Sequence, residues 1–184
     1  MIRRINLYGG PGSRKSTQAA YIYSQLKGKN LRVELVQEFV KTWAYEKRKP
    51  SSFDQLYLFA RQLRMEDIVL RNGVEYVITD SPIGLSICYS QAYGFVQWPA
   101  LTILAQEFER SYPSLNLFFD RAGTEYEEHG RFQKETDAMK MDKIILAYLE
   151  GNRLPYQVVN CADIDSIMNI VKSVIEGGKE NEVE

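Results

Sequence analysis

Nine residues near the start of the chain, GGPGSRKST (Gly9–Thr17), have the types and spacing that suit phosphate chemistry. A turn rich in glycine lets successive backbone N–H groups point at phosphate oxygens. A helix that starts directly after such a turn adds the positive end of its dipole. Lys15 supplies a cation for the β- and γ-phosphates, and the Ser16 hydroxyl can ligate Mg²⁺. Gly9, Gly10, Pro11, Gly12, Ser13, Arg14, Lys15, Ser16 and Thr17 are therefore expected to hold ATP with Mg²⁺. The general pattern G-x-x-x-x-G-K-[ST] wants glycine before the lysine, and this chain has Arg14 there. If that backbone is left-handed, a residue with a Cβ costs roughly 1–2 kcal/mol. Micromolar nucleotide binding is worth about 8 kcal/mol, so the arginine weakens such a loop without disabling it. No G-x-G-x-x-G fingerprint is present, which disfavours a nicotinamide or flavin site.

Other chemically able residues close short apolar runs. Asp80 ends "YVITD" and Glu38 ends "RVELVQE". A carboxylate at such a point can hold Mg²⁺ through water or take the proton of an acceptor hydroxyl. The sequence does not divide those roles between Asp80 and Glu38, and Asp80 doubles as the candidate metal ligand beside Ser16. "LNLFFD" runs into Arg121, and Arg131 lies just beyond a charged, glycine-containing stretch. A lid over about 121–134 would bring these two cations to a transferring phosphoryl group as water is expelled. Asn160 closes "YQVVN". His129 is the only histidine, so a histidine-based triad has nothing to work with, and two isolated cysteines, Cys88 and Cys161, make no zinc site.

The elements that must carry these residues follow from periodicity. Strands are expected at Arg3–Tyr8, Arg32–Glu38, Glu75–Asp80, Leu115–Asp120 and Tyr156–Asn160. Helices are expected at Lys15–Leu26, from Phe53 to a stop at Gly73, at Trp98–Arg110, at Thr136–Leu149, and from an Asp163 cap to about Gly177. In the long helix Phe53, Leu56, Tyr57, Ala60, Leu63 and Ile68 recur at steps of three to five. Near-continuous apolar strands separated by helices imply right-handed crossovers and a parallel sheet covered on both faces. Ligands in such α/β folds sit beyond the carboxyl ends of the strands. That rule gathers the Gly9 loop, Glu38, Asp80, Arg121 and Asn160 at one edge.

The bulk numbers bound the reading. The 184 residues suit a single domain over 1–176, followed by a flexible acidic tail at 177–184. There is no apolar run of about 18 residues, so no membrane span is expected. "MIRRINLYGG" meets glycine too early for a secretory leader. With buried, reduced cysteines this places the chain in a cytoplasm. Net charge is −1, yet 1–50 holds 11 Lys+Arg and 3 Asp+Glu, hence +8, leaving 12 and 21, hence −9, for the rest. A basic first third suits a polyphosphate or a nucleic acid.

"YGGPGSRKST", "VQEFVKTWAYE", "DQLYLFARQLR", "YVITDSPIGLS" and "GRFQKETDAMKMDKII" together resemble the small P-loop kinases of the nucleoside and nucleotide kinase class. The resemblance runs from about Arg3 to Ile175. It is strongest to the phage-encoded branch related to nicotinamide riboside kinases and thymidylate kinases. One part of that branch is similar to phage kinases that phosphorylate 5-hydroxymethyluracil within DNA. The resemblance implies a five-stranded parallel sheet in the order 2-3-1-4-5, a lid after the fourth strand and an adenine-facing loop from Asn160 to Asp163. It also implies ATP and Mg²⁺ as cofactors, a host-cell cytoplasm if phage-encoded, and a nucleotide-type acceptor, modified DNA being the most specific expectation. Two other readings stand beside it: a kinase of free nucleosides or nucleoside monophosphates, and a nucleotide-binding regulatory protein with little catalysis. Arg14 is the main departure from the pattern and bears on ATP affinity and turnover.

Overall fold

The computed structural model describes residues 2–51, 53–121 and 135–180. The five apolar runs become β1 (Arg4–Tyr8), β2 (Val33–Val36), β3 (Tyr76–Thr79), β4 (Ser114–Asp120) and β5 (Tyr156–Asn160). All neighbours pair in parallel, in the order β2-β3-β1-β4-β5. Class and strand order are those expected. The helices are α1 (Lys15–Lys27), α2 (Lys41–Tyr45), α3 (Asp54–Arg71), α4 (Ile83–Ala92), α5 (Trp98–Ser111), α6 (Glu135–Gly151) and α7 (Ile164–Glu180).

Two cores result from the alternation of side chains along each strand. On one face Ile5, Leu7, Leu117 and Phe119 pack against Ala19, Ile22 and Leu26 of α1 and Ile167, Val171 and Ile175 of α7. On the other Tyr8, Val77 and Phe118 meet α3, α4, α5 and α6 through Phe59, Ile87, Leu101 and Ile145. Full burial of a side chain such as Ile22 contributes about 2 kcal/mol. Cys88 and Cys161 are both buried free thiols, and desolvation pushes the Cys88 thiol far up from its ordinary pKa.

Boundary signals act as read. Gly73, at φ 87°, follows the end of α3, where the Val74 N–H donates back to the Val69 carbonyl. Asp163 caps α7 by accepting from the Ser166 N–H at 3.0 Å. That helix continues three residues past the expected stop at Gly177, to Glu180. Two helices come without a sequence expectation. α2 has five residues, too few for a period to show. α4 is buried at Ile83, Gly84, Leu85, Ile87, Cys88 and Ser90, and a helix enclosed on most sides has no polar stripe to announce it.

In α3 the helix is where periodicity puts it, but the apolar stripe that signals it is not the buried face. Phe53, Leu56, Tyr57 and Ile68 are exposed, while Gln55, Leu58, Phe59, Gln62, Glu66 and Leu70 turn inward. The reason lies in Arg4. Its side chain is 1 % exposed on the central strand and ion-pairs with Glu66 and Glu109 while lying over the Phe108 ring. A buried cation needs a buried carboxylate, and that pairing draws the polar face of α3 to the sheet.

Candidate functional site

β1 delivers the chain into the loop at Gly9, which adopts φ 144°, and Gly12 adopts φ 88°. Both are backbone geometries that side chains disfavour. The Ser13 hydroxyl, buried, donates to the Gly10 carbonyl at 2.9 Å and braces the turn from inside. Arg14 caps α1 at φ 55°, ψ 15°, the left-handed conformation, so the strain anticipated for it is present; its side chain is exposed. α1 then begins at Lys15, with its free N–H groups at the loop.

Gly10 serves a different purpose. A Cβ there would lie 2.6 Å from the Ala138 carbonyl and 2.8 Å from an Asp142 carboxylate oxygen. α6 packs directly on the back of the loop, and the Gly10 N–H donates to Asp142 Oδ1 at 2.6 Å. Arg121 completes this support. Its guanidinium reaches Asp142 at 2.9 and 3.0 Å and donates to the Pro11 carbonyl at 2.8 Å. The sequence places Arg121 on a lid that reaches for the transferring phosphoryl group. The structure instead holds its guanidinium behind the loop, where it steadies the backbone. Arg131, most of the expected lid and the last four residues of the tail lie outside the described residues.

The Lys15 ammonium folds onto the loop, donating to the carbonyls of Gly9 at 2.6 Å and Gly10 at 3.0 Å. Burial lowers its pKa from 10.5; Glu38, Asp80 and Asp142 oppose that shift and Arg121 adds to it. Both candidate carboxylates thus share the field of the loop lysine. Asp80 is buried, and its Oδ1 accepts from the Glu38 backbone N–H at 3.0 Å, so the ends of β2 and β3 are tied at this point.

A crevice of 370 Å³ opens in front of these groups. One wall is the loop from Pro11 to Thr17, the floor is Glu38 and Asp80, and the far wall carries Gln55, Gln62 and the rings of Phe39, Tyr89 and Tyr93. Ser16 and Thr17, both exposed, line it as well. Asn160 does not line it. That side chain closes a turn by accepting from the Ala162 N–H at 2.9 Å, on the β5 side of the loop. Of the predicted site residues, the crevice brings together the loop from Pro11 onward, Glu38 and Asp80. Gly9, Gly10 and Arg121 shape it from behind.

A protein-family model described as an AAA domain matches residues 4–166. The chain belongs to the AAA domain family. No curated protein matches the sequence. This AAA domain is accordingly of the P-loop, nucleotide-binding kind, which agrees with the glycine geometry and the lysine at the start of α1. Among the described residues no three acidic, histidine or cysteine side chains gather as a metal cage. One serine hydroxyl and one buried carboxylate instead fit a Mg²⁺ that arrives on substrate phosphates. No described helix is long and apolar enough to cross a membrane.

Sequence reasoning missed Asp142, which lies 132 residues from the Gly10 N–H it holds; no local pattern marks a contact of that range. It also missed Phe39, Trp43 and Arg48, which join Tyr57 and Arg61 of the long helix, both candidates for contact with an acceptor base, in one aromatic group. Trp43 stacks on Tyr57 at 4° with centroids 6.2 Å apart, Arg48 lies 3.7 Å over Trp43, and Arg61 lies 3.6 Å over Phe39. The alternation of Lys, Arg and aromatic residues over 39–61 was the available signal.

Proposed function

We propose that this AAA domain transfers the γ-phosphate of ATP to a hydroxyl of a nucleotide-type acceptor held in the crevice. The observation that carries the reading is that the 370 Å³ crevice does not end at the loop but extends past Glu38 and Asp80 to Gln55, Gln62 and the rings of Phe39, Tyr89 and Tyr93. Hydrolysis needs room only for a water beside the γ-phosphate. A space of this size, with ring and amide walls, suits a second organic substrate.

The loop N–H groups and Lys15 would hold the phosphates, and Ser16 and Asp80 would hold Mg²⁺. Bound MgATP supplies the phosphoryl group and neutralises charge on its oxygens. Asp80 is pinned by the Glu38 N–H and fixed in place. Glu38 adjoins Phe39 and Val40 on the acceptor wall. We therefore assign Glu38 as the base. It takes the hydroxyl proton as the acceptor oxygen bonds to phosphorus and the bond to the departing ADP oxygen breaks.

The finer reading is a 5-hydroxymethyl group of uracil in DNA. Besides the kinase resemblance, a cluster of rings and cations supports it: Arg48 lies over Trp43 and Arg61 over Phe39, which lines the crevice, and Lys41, Lys47 and Lys49 of the same stretch are exposed. Cations interleaved with rings suit a nucleic-acid backbone and its bases. Transfer from labelled ATP to hydroxymethylated duplex, set against free nucleosides and monophosphates, tests acceptor class. Glu38→Gln should lower kcat by about 10²-fold or more with ATP affinity unchanged, and Asp80→Asn should raise the Mg²⁺ requirement. Full activity in Glu38→Gln would move the base to Asp80.

A further inference from the structure

Gln55 and Gln62 are seven residues apart on α3, so they share a face, about 10 Å apart along the axis. They are 4 % and 5 % exposed, and both line the crevice. Gln62 is held in one orientation. Its Nε2 donates to Glu66 Oε1 and to Thr79 Oγ1, each at 3.0 Å. Glu66 is ion-paired with Arg4 at 3.4 Å, and a carboxylate only accepts. Turning the amide over would set its oxygen against that carboxylate. With both N–H groups committed, the group left for the crevice is the Gln62 carbonyl oxygen.

Among the described residues Asn6 Oδ1 is the buried polar side-chain atom without a partner. Gln62 Oε1 and the Gln55 amide likewise have no hydrogen-bond partner among the described residues, yet they are not sealed away, so they open onto the crevice that both residues line. A nearly buried amide left in this way suits a ligand.

We propose that Gln62 is a specificity-determining residue that selects a nucleobase presenting an N–H donor, with Glu66 and Arg4 as positioning residues behind it and Gln55 as a second contact. This rests on the acceptor reading above. Leu58 and Leu85 line the same wall, and Tyr89 and Tyr93 stand beside it, which suits a flat base more than a sugar rimmed with hydroxyls. An acceptor fixed beside apolar walls penalises a base that cannot donate, because the carbonyl then goes unpaired.

Calorimetric titration of the intact protein with 5-hydroxymethyl-2′-deoxyuridine and its N3-methyl counterpart tests this, with phosphoryl transfer measured separately. The parent should prefer the N–H base by at least about tenfold. Gln62→Met should abolish most of that preference by weakening the N–H base alone. Gln55→Leu, which breaks no bond within the fold, should weaken binding with an unchanged unfolding temperature, and so gives a result even if Gln62→Met fails to fold. Equal affinity of the parent for the pair would overturn the inference. So would sensitivity to removal of a sugar hydroxyl in place of N3-methylation, or undiminished binding by Gln55→Leu and a folded Gln62→Met. Transfer to a hydroxyl compound with no base selectivity would sink this inference and leave the kinase reading standing. Selective binding without transfer to any acceptor would do the reverse.

Discussion

Arg14 and Lys15 are adjacent, and each gives up stability for the loop. Arg14 sits at φ 55° where glycine would be unstrained. Arg14→Gly is expected to stabilise the fold by about 1 kcal/mol, read as a rise in unfolding temperature, with ATP affinity within tenfold of the parent. A fall in unfolding temperature would mean that the arginine side chain, and not its backbone, decides the position. Lys15 has its pKa lowered from 10.5, first by burial. In the window just below 10.5 the unfolded chain keeps a proton that the folded chain releases, so this group's contribution to stability rises with pH there. A polyphosphate favours the charged form and reverses the shift. Binding of ATP at alkaline pH should therefore take up protons, measured by calorimetry in buffers of different ionisation enthalpy. Binding without uptake would place the ammonium away from the phosphates.

At the scale of elements, the loop is only as rigid as α6 behind it. Asp142→Asn weakens the hold on Arg121 and the Gly10 N–H at once. The expected result is a KM for ATP raised about tenfold or more with kcat less affected, since the loop is misplaced and the reacting carboxylates are not. A loss confined to kcat would instead put this pair in the chemistry. α4 threads between β1 and α6 so closely that a Cβ on Gly84 would lie 2.6 Å from both Tyr8 Oη and the Tyr148 ring. Gly84→Ala should cost about 1–3 kcal/mol, read by denaturant unfolding; a neutral result would mean the helix can shift. These elements also show what a sequence can tell. The five strands, the loop and the caps at Gly73 and Asp163 were legible because each is a local pattern with its own physics. α4 was not, because it lacks a polar face, and the inward face of α3 was not, because a buried Arg4 overrides the apolar stripe. Glu38 and Asp80 were legible as strand ends; Asp142 and the orientation of Gln62 depend on partners distant in sequence.

In the whole molecule Arg14, Lys15 and Lys41 of the basic first third line one crevice, facing Glu38 and Asp80. The sheet order brings β1, β2 and β3 side by side, so the loop, Glu38 and Asp80 meet at one edge without any of them being near in sequence. α3 then supplies the far wall, and on the proposed function the crevice divides into a phosphate side and an acceptor side. Such a division would separate a transferase from a protein that only hydrolyses or senses ATP. The most direct measurement is the fate of a labelled γ-phosphate from MgATP incubated with hydroxymethylated duplex DNA, free nucleosides and nucleoside monophosphates. The expected result is label covalently attached to an acceptor hydroxyl, greatly reduced by Glu38→Gln. Label released solely as inorganic phosphate, at a rate no acceptor alters, would contradict it.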